Sequence, residues 1–252
     1  MKWVSVAEAK TISGLRLVLA KGVWAAWSEC TKNIFYVKKI PHANVAQVPF
    51  TENSEIVVWT GVRNQPQAIY NDEPVRTSWL DILNLAERLT PEPPLLPKVT
   101  EKRALVIGLS NELCGENGFG WCRRVQLGAH SGASGLRDRI MKTQYGAKDG
   151  DVSDEEHRLA DILETLSRYL HAQKTAGSPY IVGDRVSAVD VYWATFSNLV
   201  KPLPADANPM ADALRAKFDN NVPLIAGVLD PILFEHRDYI YKKYLQLPLH
   251  FG

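Results

Sequence analysis

Cysteine and histidine are the side chains most able to hold a metal or attack a substrate, and both are sparse here. The 252-residue chain has three cysteines and six histidines. Cys114, Cys122 and His130 lack the close pair spacing of a zinc site, so we expect no metal. Cys30 has no C-x-x-C motif, and a buried cysteine is usually an inert apolar residue. Disulfide exchange through Cys30 therefore ranks last among the functions considered.

Ser78 opens a stretch with helical spacing, residues 78–89. In that place a serine commonly caps the helix by accepting a hydrogen bond from a backbone amide. The same helix start also suits a carboxylate ligand, because the first amides lack intrahelical partners and the positive end of the helix dipole lies there. Both roles stay open for Ser78.

Apolar spacing predicts the elements that position these residues. The expected order of the first part is β-α-β-α-β-β-α, a mixed sheet with a hairpin at its end. The predicted strands are Leu15–Ala20, residues 43–48 and Gln67–Tyr70. Residues 74–76 can form only a short edge strand, because proline removes a hydrogen-bond donor from the sheet. The predicted helices are 24–39, 55–59 and 78–89.

A proline-rich segment divides the chain. Four prolines stand between Thr90 and Pro97, which favours a stiff extended linker. Beyond it the sequence reads as helical, and Ser153 and Glu156 predict a capping box at the start of one long helix. The expected organisation is an α/β domain at 1–90, a linker at 91–97 and an all-helical domain at 98–252.

The segment Tyr180–Asp190 is the most informative in the chain. Ser187 and Asp190 form an S-x-x-D capping box, and the residues that follow are apolar almost all round, as in a buried central helix. Together with the preceding α/β order, this segment resembles the capped core helix of the glutathione transferase family. The resemblance covers nearly the whole chain and implies a thioredoxin-like domain followed by a helical-bundle domain.

The resemblance also implies a glutathione site. In the family a cis-proline opens the third strand, and an acid-serine pair about a dozen residues later opens the next helix; Pro66 and Ser78 match that spacing. The backbone of Gln65 would pair with the cysteinyl part of glutathione, and Ser78 would hold the γ-glutamyl carboxylate. Thr77 stands at the acid position, where it can hydrogen-bond but cannot pair with the γ-glutamyl ammonium.

The thiol-activating position departs further from the family. The usual Ser or Cys falls on Ala25, and the tyrosine of other classes falls near Leu19. Ser28, in the first turn of the helix, becomes the candidate catalytic residue, with a plain backbone hydrogen bond as its alternative. The expected lining of the electrophile pocket between the domains is aromatic, with core packing as the alternative: Trp24, Trp27 and Trp121.

The leading hypothesis is a glutathione S-transferase that directs the thiolate of glutathione, as cosubstrate, onto an apolar electrophile in the inter-domain cleft. The alternative is a non-catalytic glutathione-binding or scaffold protein that keeps the fold, which Ala25 and Thr77 favour. The family also implies a homodimer.

Composition excludes other classes. Lys and Arg number 29 against 28 Asp and Glu, a net charge of +1, which argues against a nucleic-acid binder. The apolar runs are too short for a membrane span, and the N-terminus lacks the apolar run of a secretory signal. Three cysteines are too few for a disulfide framework. We therefore expect a cytoplasmic protein with neither nucleic-acid nor membrane partners.

Overall fold

The computed structural model describes residues 2–129, 142–143 and 151–252. Contacts divide the chain into two units. One comprises Met1–Pro93 together with Leu249–Gly252, and the other comprises Pro94–Pro248. The last four residues, which the sequence had placed in the helical domain, thus group with the first unit.

The first unit is a four-stranded mixed sheet with helices. Strands β1, β3 and β2 run parallel in that order, and β4 pairs antiparallel with β2. This confirms the predicted mixed sheet. In chain order the elements are β1 Lys2–Val4, α1 Val6–Thr11, β2 Leu15–Ala20, α2 Ala26–Val37, β3 His42–Gln47, α3 Ser54–Thr60, β4 Gln67–Tyr70 and α4 Trp79–Leu89.

The structure adds two elements that sequence spacing did not predict, β1 and α1. Strand β1 has three residues and helix α1 has six, which is too short for a repeating pattern of apolar residues to be recognised. The signal present is a capping box, in which Ser5 and Glu8 bond reciprocally at the start of α1. At the hairpin, the predicted strand at 74–76 is reduced to a single bridge between Ala68 and Arg76.

One face of the sheet carries an apolar cluster that explains why β1 and α1 form. Val18, Val45 and Ile69 from three strands pack there with residues of β1, α1 and α3. Strand β2 is buried along all six residues, as the centre of a sheet covered on both faces should be. The added members are Val4, Val6, Ala9 and Ile56.

The second unit is helical throughout its described residues, as the fold class predicted. The long helix that begins at Ser153 is not opened by the predicted capping box, because Val152 is its N-cap and the Ser153 amide instead donates to Asp151 Oδ1 (2.9 Å). The helices are α5 Thr100–Cys114, α6 Phe119–Ala129, α7 Ser153–Thr175, α8 Ala188–Phe196 with a 3-10 turn Ser197–Leu199, α9 Asp212–Asp219, α10 Pro223–Gly227 and α11 Pro231–Tyr244.

The capping box of the central helix α8 is present and is part of a larger buried network. Asp190 Oδ2 accepts hydrogen bonds from the amide and the hydroxyl of Ser187, each 2.8 Å long. Its Oδ1 accepts from the amide of Ile181 (2.8 Å) and from Nε2 of His236 on α11 (2.9 Å). One fully buried carboxylate therefore holds the loop before α8 and the helix α11 to the same point.

Asp230, the N-cap of α11, links this helix to α7. Its carboxylate accepts from Ser167 Oγ (2.5 Å), His171 Nε2 (2.7 Å) and the amide of Ile232 (3.0 Å). These hydrogen bonds lower the pKa of Asp230 from 3.8 to about 2. The largest effect comes from Ser167, followed by the amide of Ile232 and by His171. A carboxylate with a lowered folded-state pKa contributes stability above its unfolded pKa, and that contribution is lost as the pH falls through the folded value.

We therefore expect Asp230→Asn to be less stable than the native chain at roughly pH 5, and the difference to shrink as the pH falls toward about 2. Thermal unfolding midpoints of both chains over this range measure it. Asp161→Asn, at an exposed position of α7, is the control and should show no such trend. A pH-independent difference would contradict the assignment.

Candidate functional site

Helix α2 begins at the position where the resemblance expects a thiol-activating side chain, and the structure places only a methyl group there. Ala25 is the N-cap, in extended conformation (φ −141°, ψ 117°), and makes no side-chain cap hydrogen bond. Its carbonyl oxygen accepts from the amide of Glu29 (2.9 Å), so the helix is regular from its first turn. Any assistance to a thiol at this point comes from the helix start itself or from neighbouring groups.

Ser28 lies one turn into α2 and is buried, with 2% of its surface exposed. Its Oγ accepts from the amide of Ala20 (3.0 Å) and donates to Oε1 of Gln65 in a short hydrogen bond. The hydroxyl thus joins the end of β2, the start of α2 and the loop before β4. A contact between Ser28 and a thiol remains a prediction, whereas its contact with Gln65 is direct.

The loop that carries Gln65 is held from two sides, and its Gln65–Pro66 bond is cis. The side-chain amide of Gln47, at the end of β3, donates to the carbonyl oxygen of Arg63 (3.1 Å). The amide of Gln67, at the start of β4, donates to the carbonyl oxygens of Val62 (2.9 Å) and Asn64 (2.7 Å). Sequence reasoning missed both glutamines, although a polar residue ending a buried strand is a usable signal.

Ser78 is the N-cap of α4, so the capping role considered for it is observed. Its Oγ accepts from the amide of Asp81 (3.0 Å) and donates to Asp81 Oδ2 (2.6 Å). Thr77, Ser78 and Asp81 are all exposed. The helix start therefore presents a hydroxyl to solvent, with a carboxylate, which sequence reasoning missed, bonded to it.

Lys38 joins the two helices whose starts carry the predicted site residues Ser28 and Ser78. It caps the C-terminal end of α2, its side chain is fully buried, and its ammonium lies 2.6 Å from Oε1 of Glu87 near the end of α4. The ammonium also donates to the carbonyl oxygen of Pro93 (2.9 Å). One cation thus sets the position of α2 relative to α4 and to the linker.

The three tryptophans predicted to line an electrophile pocket belong to different units. Trp24 and Trp27 flank Ala25 at the start of α2, the first buried and the second half-buried. Trp121 is half-buried on α6 of the second unit.

The three cysteines are buried thiols, which disfavours disulfide exchange through Cys30. Burial raises the pKa of Cys122 to about 11, so this thiol is unreactive at neutral pH.

Within the described ranges no group of three or more His, Cys, Asp or Glu side chains is placed to hold a metal ion. His130 lies outside them. No helix in the described part of the chain is long and apolar enough to cross a membrane.

Comparison with solved structures identifies the fold. A glutathione S-transferase from Methylobacterium radiotolerans, in complex with glutathione sulfonate, is 18% identical, with 88% of this chain and 93% of that chain covered and a TM-score of 0.56. Glutathione transferase Omega 3C from Trametes versicolor is 15% identical over 98% and 96% of the two chains, with a TM-score of 0.59. A monomeric glutathione S-transferase from the hookworm Necator americanus is 14% identical over 92% and 94%, with a TM-score of 0.55.

The chain therefore has the glutathione S-transferase fold, as its resemblance predicted. At identities this low, the likeness establishes architecture and leaves the activity to be argued from the site. No protein-family model matches the chain, and no curated protein matches it.

Proposed function

We propose that this protein binds glutathione in its first unit and transfers the thiolate to an apolar electrophile. The observation that carries the proposal is the combination of Gln65, hydrogen-bonded to Ser28 at the start of α2, and a Ser78 N-cap in one glutathione S-transferase fold. A solved structure with this fold holds glutathione sulfonate, a derivative of the same ligand. Neither feature by itself would distinguish a ligand site from ordinary backbone structure.

Each part of glutathione has a candidate partner. The backbone of Gln65 would pair with the cysteinyl part, in a loop already fixed by Gln47 and Gln67. The hydroxyl of Ser78 and the first amides of α4 would hold the γ-glutamyl carboxylate, where the helix dipole favours negative charge. Thr77 offers one more hydroxyl. Asp81, bonded to Ser78, would supply the negative charge for the γ-glutamyl ammonium that Thr77 lacks.

Activation of the thiol would rest on the start of α2. An unassisted thiol has a pKa near 8.5, and the positive end of a helix lowers that value by stabilising the thiolate. In this proposal Ser28 acts through Gln65, whose side chain it holds, and is thus a positioning residue. Trp24 and Trp27 would form the apolar surroundings of the sulfur.

A second candidate function is favoured by Ala25 and Thr77. A glutathione-binding or scaffold protein without transferase activity requires no activating group at the start of α2. The two functions separate in one experiment, because both bind glutathione and only the transferase consumes it with an electrophile such as a chlorinated nitrobenzene.

A cytoplasmic homodimer is part of the first proposal, and its buried thiols suit a reducing compartment. Sedimentation measures the oligomeric state.

Calorimetric titration with reduced glutathione tests the binding site. We expect Ser78→Ala to weaken binding by about 1–2 kcal/mol, or roughly 5- to 30-fold in Kd, because one hydrogen bond to a charged group is lost. Ser5→Ala is the matched control, since Ser5 caps α1 through the same pair of bonds to Glu8. Equal affinities in both variants would remove Ser78 from the site, and no binding by the native chain would overturn the proposal.

A further inference from the structure

The last four residues of the described chain, Leu249–Gly252, form a segment without regular secondary structure that groups with the first unit; we call it the strap. The carbonyl oxygen of Phe251 accepts from the amide of Gly22 (2.8 Å), and that of His250 accepts from the ammonium of Lys32 (2.9 Å). The Phe251 ring centre lies 5.9 Å from the same ammonium. The strap is therefore bonded to both the loop before α2 and the second turn of that helix.

Helical spacing places the strap along one face of α2. Ala25, Glu29 and Lys32 are separated by four and three residues, so they share a stripe of the helix. Side chains on a helix lean toward its N-terminus. The Lys32 ammonium, 2.7 Å from Glu29, is thereby directed back toward Ala25. The stripe that the strap follows is the one that carries Ala25.

Gly252 shows how closely the strap fits at its end. Its φ of 93° is in the left-handed region, which favours glycine. A Cβ atom at this residue would lie 2.6 Å from Cε2 of Trp3 and 3.0 Å from Cγ of Lys21. The strap is thus packed against β1 and the end of β2 as well as against α2.

The two carbonyl oxygens of the strap occupy donors that an anion would use. The amide of Gly22 lies three residues before the N-cap Ala25, and the Lys32 ammonium, which is also ion-paired with Glu29, lies on the same stripe. We infer that the strap competes with the thiolate end of glutathione for this face of α2, an inference that rests on the proposed function. When the strap is bonded, its carbonyl oxygens accept from the Gly22 amide and the Lys32 ammonium. When the strap is released, these two donors can face the anionic sulfur.

A competing internal segment lowers the apparent affinity of a ligand by the fraction of molecules in which the site is open. If the strap is bonded in nine molecules of ten, a chain ending at Pro248 binds glutathione about tenfold more tightly than the full chain. Calorimetric titration of both chains with reduced glutathione measures this ratio. Hydrogen exchange at the Gly22 amide gives a second readout, because without glutathione it should be faster in the shortened chain, which lacks the Phe251 carbonyl oxygen that accepts from this amide.

Point variants guard against a shortened chain that fails to fold. Phe251→Ala removes the ring beside Lys32 and should tighten glutathione binding severalfold. His250→Ala is the matched control, because its side chain is exposed and its contact with Lys32 uses the backbone carbonyl. Tighter binding in Phe251→Ala but not in His250→Ala supports the inference.

The outcomes separate the strap from the function on which it rests. Equal affinity in the full chain, the shortened chain and Phe251→Ala overturns the strap while leaving glutathione binding intact. Weaker binding in the shortened chain also overturns it, since the strap would then help to hold the ligand. No binding by any of these chains overturns the proposed function and the inference together.

Discussion

Replacement of Asp190 by alanine is expected to lower the free energy of unfolding of the second unit by about 3–5 kcal/mol, the scale of removing one partner from a buried charged network. The carboxylate is fully buried and accepts four hydrogen bonds, from two groups of Ser187, from Ile181 and from His236. Without it, these donors stay buried and lose their acceptor, which is more costly than losing an exposed pair. The capping of α8 is lost in the same step.

Urea unfolding followed by circular dichroism measures this loss as a lower midpoint. Asp184→Ala is the control, because Asp184 lies in the same loop with its side chain exposed. His236→Ala should fall between the two, since Asp190 then keeps three of its four donors. A loss below about 1 kcal/mol in Asp190→Ala would mean that water replaces the carboxylate, contrary to the buried network described above.

Replacement of Lys38 by methionine is expected to destabilise the first unit by about 3 kcal/mol and to weaken glutathione binding. The buried ammonium holds Glu87 of α4 and the carbonyl oxygen of Pro93. Its removal takes the ion-pair partner at 2.6 Å from a mostly buried carboxylate. Since the starts of α2 and α4 form the proposed binding site, a shift of one helix against the other also moves its two halves apart.

Two further variants make the Lys38 experiment specific. Lys39→Met changes the adjacent, exposed lysine and should leave stability and affinity near those of the native chain. The double variant Lys38→Met, Glu87→Leu should recover much of the stability, because replacing both members of a buried pair is often nearly neutral. Failure of the double variant to recover would assign the loss to packing of the lysine stem instead of to the charge.

Local patterns predicted most of the central elements. The strands Leu15–Ala20 and Gln67–Tyr70 were predicted with the bounds that the structure has, since their apolar runs end at glycine or turn residues. The capping box at Ser187 was predicted because its bonds join residues three apart. The same logic was wrong at Ser153, where Asp151 bonds the amide and Val152 is the cap.

Contacts distant in sequence could not be predicted from local spacing. The contact between Lys32 and the strap residue His250 joins residues 218 apart. It produces no repeating residue pattern in α2 or in the strap that sequence analysis could detect. The hydrogen bond between Ser28 and Gln65 likewise depends on how β2, α2 and β4 meet. The chemistry expected at Ala25 and Thr77 came from a family resemblance, and their own side chains supply neither a thiol-activating group nor a charge.

The short strand β1 has a consequence for how this protein behaves among other copies of itself. A parallel sheet that ended at β3 would expose a six-residue row of amides and carbonyls, which is a template for pairing with another chain. Strand β1 covers the middle of that row, from Ala43 to Val45, and puts the three-residue strand Lys2–Val4 outside it. A short edge strand that carries a lysine discourages such pairing. Strand β1 thus gives this side of the sheet a termination that resists aggregation.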